Sequence, residues 1–164
     1  MQLLTPRSQA LFSLLLLAGA LLVAPATRSE DKPAKDQPPK AWDQAAVTSL
    51  AGQLAKASDA LWVAVLNSPN LGQVGSGDGY DSQRLQYKTR RIREQSMALA
   101  GALAAGKGKA ETFPEVEDLG ELADDLQVIF ERMFVEQQLK QKLVAARDIW
   151  RQLIPYYGIK PRKY

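Results

Sequence analysis

The side chains of this chain that could do chemistry are carboxylates and cations, because it contains no histidine and no cysteine. Those absences exclude Ser-His-Asp and Cys-His nucleophiles, conventional zinc sites, and haem ligation by imidazole or thiolate. The acids are concentrated between Glu115 and Asp125, and a helix places Glu117, Glu121 and Asp124 on one face. Paired carboxylates can bind a cation or act as acid and base. Di-metal carboxylate bundles, however, draw on Glu-x-x-His pairs, which cannot occur here. The simpler reading is that these acids face water at a helix start and complement its dipole. Glycoside hydrolysis can run on carboxylates alone, and Glu94 beside Arg90 and Arg91 is the candidate for such chemistry. With aromatic residues at only 7%, a sugar-binding cleft is hard to build. The sequence therefore predicts a non-enzyme with no cofactor and no metal, and a carboxylate-only hydrolase is its weakest alternative.

The sharpest cluster of cations is Arg84, Lys88, Arg90, Arg91 and Arg93. On a helix, Arg84, Lys88 and Arg91 make a stripe beside the apolar face, while Arg90 and Arg93 project elsewhere. Such a stripe could meet anionic lipid headgroups, which would make the chain a peripheral membrane protein. The competing reading is a solvated face whose long stems cover apolar neighbours, with Glu94 pairing Arg90 one turn away. A net charge of +3 does not call for nucleic acid as a partner.

The elements that must position these groups read as helices throughout. Residues 1–26 are expected to be an export signal: Arg7, then the apolar run Ala10–Val23, then Ala24-Pro25-Ala26 at the cleavage positions. The run of about 14 residues is short for a membrane span, which needs roughly 20. An uncleaved N-terminal anchor is the alternative. The product is thus expected to be exported, to a periplasm or outside the cell. Residues 27–40 carry three prolines and alternating charges with no large apolar side chain, and read as a disordered linker.

A helical domain is expected over 41–155. Val47, Leu50, Leu54, Ala57, Leu61 and Val65 share one face of a first helix, which Asn67-Ser68-Pro69 ends. The glycine-rich stretch from Asn70 to Asp81 lacks the Gly-Lys-Ser/Thr of a phosphate loop and the spaced acids of a calcium loop, so it reads as a connection. A second helix is expected from about Ser82 to Ala105, with Asp81 or Ser82 as N-cap. After the loop at Gly106–Lys109, Thr112-Phe-Pro-Glu115 matches a capping box opening the third helical stretch.

That third stretch changes register. Leu119, Leu122, Leu126, Ile129 and Met133 define one apolar stripe; Leu139, Leu143, Ala146, Trp150 and Leu153 define another, rotated from it. Either the chain breaks near Val135–Gln138 and returns as a fourth helix, or it continues as one long helix, straight or bent, of about 40 residues, near 60 Å. The segment has no turn chemistry, and Glu136 to Lys140 is a favourable i,i+4 pair, which favours continuity.

The expected fold is therefore all-α: an antiparallel three-helix hairpin or bundle with coiled-coil-like seams, with an up-down four-helix bundle as alternative. On a continuous helix the second stripe would lack a cover within one molecule. Leu139, Leu143, Trp150 and Leu153, rimmed by Tyr156 and Tyr157 in a Tyr/basic tail over 156–164, are then expected to meet a protein partner or a second copy. The functional expectation is an exported interaction protein of the helical-bundle class.

Overall fold

Asp43 opens the first helix by accepting the Ala46 backbone N–H on its carboxylate at 3.0 Å, the N-cap bond that satisfies an otherwise free donor. From there a computed structural model shows four helices: α1 (Gln44–Leu66), α2 (Asp78–Ala104), α3 (Lys109–Arg132) and α4 (Gln137–Tyr157). The residues described are 38–68, 71, 78–133 and 135–160. The expected export signal over 1–26 and all but the end of the expected linker over 27–40 fall outside them. Among the described residues there is no strand, and no helix is long and apolar enough to cross a membrane.

Contacts at one end of the bundle establish the topology. Gln44 at the start of α1 donates to the Leu103 carbonyl at the end of α2. Thr112 at the start of α3 shares a 2.8 Å hydrogen bond with Tyr157 at the end of α4, and Trp42 meets the same Tyr157 ring edge-on at 5.3 Å. Starts of α1 and α3 therefore lie beside ends of α2 and α4, so the helices run up, down, up, down. α1 packs on both α2 and α4, and α2 packs on α3, whereas α3 and α4 barely touch.

The all-α expectation is met in its four-helix form. Met133 leaves helical geometry for extended backbone (φ −97°, ψ 143°), and α4 starts after Glu136 (φ −59°, ψ 147°). Local preference and the Glu136–Lys140 pair favour continuity by only a few tenths of a kcal/mol. Breaking the rod lets both stripes reach one core. Leu126 and Ile129 are buried from α3, and Leu139, Ala146 and Leu153 from α4. Each large apolar side chain so covered contributes about 1.5–3 kcal/mol, so tertiary burial outweighs local preference.

Three boundaries differ from the sequence reading. α2 begins at Asp78, which places Asp81 and Ser82 inside the helix rather than at its cap. α3 begins at Lys109, where the Glu111 carboxylate accepts the Gly108 N–H at 3.0 Å. Thr112 is thus one turn inside, donating to the Gly108 carbonyl at 2.9 Å, and is not an N-cap. α4 continues through Tyr156 and Tyr157 and closes at Gly158, whose φ of 76° suits a residue without a Cβ. The end of the linker is docked rather than free: the Lys40 N–H bonds the Pro155 carbonyl at 3.0 Å, and its ammonium stands 5.0 Å from the centre of the Tyr156 ring.

Tyr157 is the clasp of this end. Its ring lies against Trp42 and Phe113, and burial raises its hydroxyl pKa above the ordinary tyrosine value; the Thr112 bond works downward and Glu115 upward. A raised pKa means the folded state holds its proton more tightly than the unfolded chain. The associated stability is present below pH about 10 and is lost as pH climbs through the folded value. Tyr157→Phe should cost about 1 kcal/mol at pH 8 by urea denaturation, and the gap to the parent should shrink by pH 11. A gap that widens with pH would contradict this.

Candidate ligand-binding cleft

Where α3 and α4 barely touch, the seam between them opens into the middle of the bundle as a cavity of about 200 Å³. Its inner wall is apolar: Leu54 and Leu61 from α1, Ile92 from α2, Leu119 and Leu126 from α3. Buried Ser58 and Ser96 also line it, their hydroxyls 3.2 Å apart. Gly120 of α3 lies beside Trp150: a Cβ there would stand 3.6 Å from the indole, an ordinary van der Waals contact. Val128 and Val144, 38% and 40% exposed, neighbour the lining residues Gln127 and Leu143 in the chain.

α4 carries two adjacent stripes. Leu139, Ala146, Leu153 and Tyr157 are covered by the molecule itself, at 2%, 7%, 0% and 3% exposure. Leu143, Arg147, Trp150 and Ile154, at spacings of four, three and four, lie about 60° around the helix and line the cavity. One cation, Arg147, therefore interrupts an otherwise apolar stripe. Its Nε is buried and has no hydrogen-bond partner. One turn on, Arg151 also lines the opening. Among the described residues neither arginine forms an ion pair. On α3 the same cavity is lined by Asp124, which has an interaction of its own, and by exposed Glu131, which accepts from Gln127 at 2.8 Å.

The predicted partner interface is corrected by this geometry. Leu139, Leu153 and Tyr157 are core residues, because the chain break turned their stripe inward. Tyr156 is half-buried under Lys40. Leu143 and Trp150 alone of that set face the opening. The predicted cationic stripe is dispersed by pairing. Lys88 bonds Asp125 of α3, and Arg84 lies 3.9 Å from Asp81. Arg93 pairs with Asp59 of α1 and Arg90 with Glu94. Arg91 is exposed, and no ion pair of its own occurs among the described residues. Glu94 is exposed, on the outside of α2. Glu117 and Glu121 face solvent, and no group of three carboxylates close enough to hold a metal occurs among the described residues.

Sequence reasoning missed the cavity. One signal was available: small residues (Ser58, Ser96, Ala123, Ala146) stand where helices meet, opposite an arginine set among apolar residues. Comparison of the chain with protein-family models, with curated proteins and with solved structures finds no match.

Proposed function

We propose that this chain is an exported, non-catalytic binding protein whose α3/α4 cleft takes up a small apolar guest. The observation that carries the reading is an apolar cavity open to the surface through an under-packed seam. Sites between bundle helices commonly serve this purpose. At about 200 Å³ it exceeds the roughly 150 Å³ apolar cavity that admits benzene. A partner's helix, about 10–12 Å across with its side chains, is too thick for it. Export rests on the signal-like pattern of residues 1–26.

The test uses the neutral probe N-phenyl-1-naphthylamine, whose emission rises in apolar surroundings. Saturable one-to-one binding is expected. Ala123→Phe, which fills the cavity from α3, should abolish it without lowering the melting temperature. Absence of saturable binding, or unchanged binding in the filled variant, would remove the cleft as a functional site.

A second reading keeps the chain as a protein-interaction module, and the exposed Val128 and Val144 with half-buried Leu143 favour it. It expects a mass that rises with concentration in light scattering and reverts in Leu143→Asp. A constant monomer mass would count against self-association. The lipid-surface reading is left with less to work on, since Lys88 is already spent on Asp125.

A further inference from the structure

Resting on the cleft reading, we infer that the guest is a single-chain amphiphile whose anionic head, a carboxylate or a phosphate, is held by Arg147 with Arg151 at the mouth. An arginine in the middle of an apolar stripe is an expensive choice for packing alone. Burying part of a cation with no acceptor disfavours the empty state, and any apolar side chain of similar length would be more stable there. Arg147 is placed in that position, with its Nε buried and unpartnered at the cavity wall. The guanidinium fork matches two oxygens of a carboxylate or phosphate. Arg151, one turn nearer the tail, can add a second contact from the same wall.

The acids on the opposite wall do not reverse this. Glu131 is exposed and holds the Gln127 amide, and Asp124 has an interaction of its own. On the helical wheel both lie farther from the core-facing Leu119 and Leu126 than Ala123 does. The charge nearest the apolar interior is therefore the arginine. An acyl chain against Leu61, Leu126 and Trp150 would bring its head to Arg147, and an alkylammonium would meet like charge there.

Competition against N-phenyl-1-naphthylamine on the full chain tests this, using dodecanoate, dodecyl phosphate, dodecanol and dodecyltrimethylammonium below their micellar concentrations. Both anions should displace the probe at least tenfold more effectively than the alcohol or the cation, as expected for a charge-assisted bond in a low-dielectric site. Inorganic phosphate and acetate alone should not displace it, because the chain supplies the hydrophobic part. Dodecanoate against dodecyl phosphate separates a free fatty acid from a phospholipid-derived head. Arg147→Met should lose that preference yet still bind dodecanol, and should melt at a higher temperature than the parent when both are empty. Asp124→Asn should tighten dodecanoate but not dodecanol. Equal displacement by all four amphiphiles, or dodecanoate binding unchanged in Arg147→Met, would overturn the head-group assignment while leaving the cleft standing. Absence of saturable probe binding would bring down cleft and assignment together, and probe binding that no amphiphile displaces would overturn the assignment alone.

Discussion

Leu153→Ala should destabilise the isolated chain by about 2–5 kcal/mol, the cost of removing a fully covered leucine and leaving a partly unrelaxed void. Leu153 is 0% exposed and packs in the shared core with Leu139 and Leu61. In a domain of this size the melting temperature should fall by on the order of 10 °C or more. The shift should be the same at low and high protein concentration, because the cover comes from the chain's own helices. Leu143→Ala, one stripe away on the open seam, should cost about 1 kcal/mol or less, since its side chain already meets open space. Calorimetry on both variants at two concentrations decides the matter. Near-equal losses, or a Leu153→Ala penalty that appears only when the protein is concentrated, would mean that α4 completes its packing on another copy.

The Ser58 and Ser96 pair should show the second-largest effect, and the effect should be non-additive. The two hydroxyls face one another at 3.2 Å between α1 and α2, both residues buried. Replacing either serine by alanine leaves the other hydroxyl without its cross-helix partner, which costs about 1–3 kcal/mol. Each orphan can recover part of that by turning to the carbonyl one turn back in its own helix. Replacing both removes the polar requirement altogether, so the double variant should fall well short of the sum. A coupling of at least 0.5 kcal/mol in a double-mutant cycle is expected. Strict additivity would mean that water in the cleft satisfies each hydroxyl separately, and that the cavity is wetter than its leucine-rich wall implies.

These expectations converge on one design: a bundle closed firmly along three seams and loosely along the fourth. Closure is concentrated at the end where Trp42, Thr112, Phe113 and Tyr157 meet. Ion pairs between helices fall on the α1/α2 and α2/α3 seams, through Arg93–Asp59 and Lys88–Asp125. Such exposed or half-exposed pairs are worth up to about 1 kcal/mol each and set register more than stability. Among the described residues, no ion pair crosses from α3 to α4. That is the seam with room for a guest.

The amino-acid pattern alone determined that this chain is helical and which face of each early helix is apolar. Val47, Leu54, Leu61 and Val65 are buried as their spacing requires, because helical periodicity is a local property set by burial of one stripe. The absence of histidine and cysteine likewise restricts the chemistry at the level of composition. The break at Met133–Glu136 was legible only as a slip in the stripe. Turn chemistry is absent there, and the preference that wins is non-local: Leu139 and Leu153 gain more from the core than the backbone loses at the kink. The start of α3 differs for a local reason: Glu111 takes the Gly108 N–H, so the capping interaction sits one turn before Thr112 and Glu115, where the sequence offers a second, competing match. The cleft belonged to the tertiary structure entirely. Periodicity shows which side chains point inward, whereas the space left between two helices depends on how closely their axes approach, and no single stripe encodes that distance.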